Sequence, residues 1–157
     1  MSKVTAYIRS LWRPSKASEA ERAQTLEADQ MTDRISDQLL AQRSRNRIME
    51  VLSIYCCDED WASLGPDEVI NQWEDFVDQQ RFAIFIEPVF TTEEQTQLKA
   101  FHAEWLQYCE STPKSMPPFE VIRTTLEWQQ LKRHAGELLH LFEQRGKLSE
   151  DVEIPLS

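Results

Sequence analysis

Glycine is almost missing from this chain, with three in 157 residues. Tight hairpins and phosphate-cradling loops need backbone conformations that glycine supplies and other residues resist. No P-loop, G-x-G-x-x-G turn or G-x-S-x-G nucleophile elbow is present. A chain so poor in glycine is expected to be helical.

The spacing of apolar residues points the same way. Val69, Ile70, Trp73, Phe76 and Val77 form a wide stripe at helical period. Pro66 suits the first turn of that helix, and Asp67 and Glu68 suit its positive end. Thr91-x-x-Glu94 and Thr124-x-x-Glu127 read as capping boxes. The first precedes Leu98, Phe101, Trp105 and Tyr108; the second precedes Leu131, Ala135, Leu138, Leu139 and Phe142. Gly146 suits the residue just past the last helix. Residues 81–90, RFAIFIEPVF, read as a buried connector, with a short strand over 82–90 as the other reading.

Upstream, Ser18 and Glu21 form another capping box, followed by a thin stripe at Ala20, Ala23, Leu26, Met31, Ile35 and Leu39. A long helical segment over residues 18–47 is expected, with the pattern resuming at Ile48, Val51, Leu52 and Tyr55. Before it, Val4, Tyr7, Ile8, Leu11 and Trp12 make a short amphipathic arm that Pro14 interrupts. The expected fold is all-α: an irregular helical bundle with a long N-terminal helical segment.

A length of 157 residues suits one domain. No apolar run approaches the ~18 residues a membrane span needs, and residues 1–18 lack a secretory apolar region. Three cysteines, an odd number, do not suggest a secreted disulfide framework. A cytoplasmic protein is expected.

The formal charge of −10 is unevenly placed. Residues 1–47 hold nine Lys/Arg against six Asp/Glu; the remainder holds eight against twenty-one. Three parts follow: a basic arm and helix over 1–47, an acidic helical body over 48–146, and an acidic extended tail over 147–157. The body should repel nucleic acid and favour basic partners.

Residues 54–80 hold eight carboxylates and no Lys, Arg or His. Several chemistries fit poorly. Cys56 and Cys57 are adjacent, too close for an unstrained disulfide and wrongly spaced for zinc. They read as small half-buried apolar residues at a helix end. Asp58, Asp60 and Gly65 do not follow the order of a calcium loop. Glu137 and His140 make one E-x-x-H pair, but the second pair of a di-iron bundle is missing. His102 and Cys109 stand about 10 Å apart along one helix, beyond direct hydrogen bonding. No catalytic residue, metal or cofactor is assigned.

What remains is the acidic stretch as a surface. Asp67, Asn71, Glu74, Asp75 and Asp78 fall on one helix face, opposite the apolar stripe. Solvated faces usually mix signs, and this one does not. Asp58, Asp60, Asp67, Glu74, Asp75 and Asp78 are therefore expected to meet Lys or Arg, with an exposed Trp61 packing at the centre. The expected function is non-catalytic binding of a basic protein, such as a toxin or effector domain, in the manner of an immunity or antitoxin inhibitor. The alternative is a regulator or adaptor whose N-terminal helix forms a homodimer or meets nucleic acid through Arg43, Arg45 and Arg47. A third possibility is that these arginines fold back and neutralise the acidic stripe.

Overall fold

The computed structural model describes residues 35–156, with isolated helical backbone at Ala20 and Gln24. The amphipathic arm and the Ser18/Glu21 capping box lie outside the described residues. Within the compact unit that starts at Ser36 there are six α-helices and no strand among the described residues: α1 (Asp37–Cys56), α2 (Asp58–Leu64), α3 (Pro66–Phe76), α4 (Thr92–Ser111), α5 (Phe119–Ile122) and α6 (Leu126–Glu143). The expected all-α class holds.

Local chemistry sets the boundaries. Ser36 has extended backbone, and its hydroxyl accepts from the Leu39 amide at 3.1 Å. That cap starts α1, so no helix runs unbroken from residue 18 to 47. The helix then passes through residue 47 without interruption, and the compact unit begins at Ser36 rather than Ile48. The Thr91 box is complete: Thr91 Oγ1 accepts from the Glu94 amide at 3.1 Å, and Glu94 Oε2 accepts from the Thr91 amide at 2.9 Å. The last box is displaced by one residue. Thr125, not Thr124, caps α6, its hydroxyl accepting from the Trp128 amide at 3.4 Å. The Thr124 hydroxyl instead donates to the Val121 carbonyl at 2.7 Å, closing α5.

Residues 81–90 form a connector, opening with a 3₁₀ turn (Arg81–Ala83) and burying Phe85, Val89 and Phe90. Gly146, with φ of 68°, ends the last helix; its amide donates to the Phe142 carbonyl at 3.1 Å. The following segment, bent at residues 150–152, lies along α1 and is not simply extended.

Helix α1 is central, packed on α6 and α3, while α4 packs on α6. Its Tyr55 ring meets Trp61, Trp73 and Phe101 edge-on, at 5.5, 6.4 and 6.0 Å. The Tyr55 hydroxyl donates to the Ile70 carbonyl at 3.1 Å and accepts from Trp105 Nε1 at 3.0 Å. Burial holds this phenol far above its usual pKa, so it stays neutral. The hydrogen bonds orient the rings and fix α3 and α4 against α1.

Candidate interaction surface

The structure sorts the three arginines of α1 sharply. Arg45 has no exposed surface. Its Nη2 lies 2.7 Å from Glu94 Oε1 and also donates to the Phe142 carbonyl at 3.0 Å; Nη1 donates to the Gly146 carbonyl at 2.6 Å. The guanidinium thus caps the negative end of α6 and stacks 4.7 Å over the Phe142 ring. Phosphate cannot reach it, which corrects its inclusion among nucleic-acid contacts. Carboxylate and carbonyls meet the charge at both Nη atoms, while Nε is buried without a hydrogen-bond partner among the described residues.

Arg43 and Arg47 are about two-fifths exposed, at 37% and 45%, and both face acids. Arg47 pairs with Glu50 at 2.7 Å and Glu150 at 3.5 Å. Arg43 Nε donates to the Glu150 carbonyl at 2.8 Å and its Nη2 lies 3.9 Å from Asp151. Lys147 joins Glu50 at 2.6 Å. With Arg47, it holds the Glu50 carboxyl below the usual range. The α1 arginines neutralise Glu94 and the segment after Gly146, and none of them pairs with the acidic stretch of residues 58–78.

That stretch divides into two classes of residue. Asp67, Glu68, Glu74 and Asp75 are exposed on α3, while Val69, Ile70 and Trp73 are buried beneath. Among the described residues no ion pair engages these four carboxylates. Asp58 pairs with Lys132 of α6. Asp78 is not on the α3 face, because the helix ends at Phe76 and Val77 is extended. Its Oδ1 accepts from the Gln80 and Arg81 amides at 2.8 Å each, and Oδ2 lies 3.3 Å from Arg81 Nε. Asp78 is thus a turn cap with its charge offset. Asp60, on α2, is half-buried.

Trp61 is fully buried, contrary to its expected place on the surface. Its Nε1 donates to the Tyr55 carbonyl at 2.9 Å, and its ring lies between Tyr55, Phe119 and Trp128. The exposed apolar residue beside the acids is Leu64, at 46%. Sequence reasoning missed it, because α2 is too short to display a period.

The remaining chemistry-bearing side chains sit apart. The three cysteines are free and half-buried. Burial pushes the Cys109 thiol up to about 11 and raises Cys56 too, leaving both thiols protonated at neutral pH. Among the described residues no group of three or more His, Cys, Asp or Glu is placed to hold a metal ion. No described helix is long and apolar enough to cross a membrane. A groove of about 510 Å³ between α4, α6 and the proline-rich loop is lined by Glu104, Tyr108, Thr125 and Gln130, among others. No protein-family model, curated protein or solved structure matches the chain.

Proposed function

We propose that this chain is a non-catalytic, cytoplasmic protein-binding module that engages a basic partner through the α2–α3 face, as an immunity or antitoxin inhibitor would. One observation carries the reading. Asp67, Glu68, Glu74 and Asp75 stand exposed together, and the α1 arginines are engaged elsewhere. Asp67 and Glu74, at i, i+7, share one face with Asp75 beside them, so their fields add at the surface. A cationic partner is steered by that field. Leu64 supplies the apolar centre, in place of Trp61. Asp58, Asp60 and Asp78 form the rim.

The test is capture of partners at low salt by the wild-type chain and by an Asp67→Lys/Glu74→Lys variant. The expected result is a basic protein retained by the first and lost by the second, with unchanged far-ultraviolet circular dichroism. Equal retention by both would sink the electrostatic reading.

A further inference from the structure

Three side-chain amides stand one turn apart along α1: Gln38, Gln42 and Asn46. Spacing of i, i+4, i+8 places them in a row on one helix face. Gln42 and Asn46 are essentially without exposed surface, at 0% and 1%. A buried amide without partners is costly, and these find theirs on the segment after Gly146. Gln38 Nε2 donates to the Ile154 carbonyl at 2.6 Å. Gln42 Nε2 donates to the Ser149 and Val152 carbonyls at 2.7 and 2.9 Å, and its Oε1 accepts from the Ile154 amide at 2.9 Å. Asn46 Nδ2 donates to the Leu148 carbonyl at 2.8 Å, and Oδ1 accepts from the Leu148 amide at 2.9 Å.

The row reads main chain in antiparallel order, from Ile154 back to Leu148. Charge reinforces the register: Arg43 and Arg47 face Glu150 and Asp151, and the Ser36 hydroxyl donates to Glu153. Two apolar anchors, Leu148 and Ile154, touch the core. This has the chemistry of a peptide receptor, with backbone recognition for affinity and side-chain charge for register. The occupant is joined to α6 at Gly146, whose positive φ and open surroundings mark a reversal of the chain.

We propose that the Gln38–Gln42–Asn46 row is an exchangeable docking rail, and that the same segment of a second copy of this chain takes the place of residues 148–154. The second copy is the occupant because it carries the acids, anchors and carbonyls in the order the rail reads. Reciprocal exchange closes a two-fold pair without any new interface chemistry.

Two single variants, Ser36→Cys and Glu153→Cys, are mixed under mild oxidation. Neither can form a 36–153 disulfide within one chain. Exchange predicts the 36–153 linked peptide between chains, identified by mass spectrometry, with a yield that rises with protein concentration. Gln42→Leu in the receiving chain removes the same three hydrogen bonds from its own and from the incoming segment, so it should speed formation of the cross-link several-fold and leave the final yield nearly unchanged. A second pair, Gln38→Cys with Ile154→Cys, guards against loss of the Ser36 cap. In the unmodified chain, the Leu148 and Ile154 amides should exchange with deuterium about 100-fold faster than the Leu52 amide. The proposal is overturned if a chain carrying both Ser36→Cys and Glu153→Cys closes internally while the mixed single variants never cross-link. It is equally overturned if those two amides exchange only as fast as the core.

Discussion

Arg45 Nη2 and Glu94 Oε1 meet at 2.7 Å with both side chains shut away from solvent, joining α1 to the start of α4. Glu94 Oε2 also takes Arg145 Nη1 at 3.0 Å and the Thr91 amide at 2.9 Å. One carboxylate therefore caps a helix, neutralises a buried guanidinium and fixes the root of the rail-bound segment. Removing it alone strands a buried charge. Glu94→Ala should cost roughly 3–5 kcal/mol by urea denaturation. Arg45→Met combined with Glu94→Leu should recover most of that loss, because the desolvation cost leaves with the charges. Simple additivity of the two single losses would contradict this account.

Acid should loosen α3 through a different contact. Trp73 Nε1 donates to His102 Nδ1 at 3.2 Å, which requires an imidazole unprotonated at that nitrogen. Burial lowers the His102 pKa, while Asp78 and Glu74 pull it back up. Phe82 covers the ring edge-on, Trp105 stacks beneath it, and Lys99 lies over Phe82. A histidine depressed in the folded state contributes its full stability above its unfolded value of about 6.5, and loses it as pH falls below that value, because the unfolded chain takes the proton first. Urea midpoints should therefore fall between pH 7.5 and pH 5.5. In His102→Asn, whose side-chain oxygen accepts the same bond without titrating, the fall should be smaller. The Trp73 indole proton of the folded protein, followed by nuclear magnetic resonance, should shift only at lower pH, as His102 passes its depressed folded-state value.

The acidic residues should rank by how they are engaged. Asp67→Asn, Glu74→Gln and Asp75→Asn should each slow association with the basic partner and flatten its salt dependence. Asp58→Asn should do less, since Lys132 already offsets Asp58. Asp78→Ala should show up chiefly as a stability loss of about 1 kcal/mol, through its two turn amides. Stopped-flow association rates set beside urea midpoints separate the two classes. A uniform effect across all five would remove the distinction.

Trp61 and Leu64 stand three residues apart and should behave oppositely. Trp61→Ala empties the aromatic centre and should cost roughly 3–5 kcal/mol. Leu64→Ala, at a half-exposed site, should leave stability within about 0.5 kcal/mol while weakening partner binding.

These two residues also show what the sequence discloses. Periodicity located α3, α4 and α6, because each presents several apolar positions in register. The Thr91 box was legible because both reciprocal partners are local. Helix α2 has seven residues and three acids in its first turn, so Trp61 looked like an isolated aromatic on a charged surface. Its burial comes from Phe119 and Trp128, far along the chain. Arg45 misled for the same reason: flanked by Arg43 and Arg47 it reads as one cluster, and its counter-ion lies 49 residues away. The polar rail was invisible because Gln38, Gln42 and Asn46 resemble an ordinary wet helix face until the partner segment is laid across them. The exposed acids of α3 were legible, since helical spacing alone sets them opposite a buried stripe.

The engagement of the α1 arginines has a consequence beyond contact. One flank of the compact unit is salted internally, with Arg43, Arg47 and Lys147 matched by Glu50, Glu150 and Asp151. The α3 flank keeps its negative charge unmatched among the described residues. Such an imbalance acts as an electric moment on a polycation at separations near a Debye length, about 8 Å at physiological salt. If the proposed function holds, a cationic partner feels that field before the surfaces touch, and part of its orientation is set during the approach.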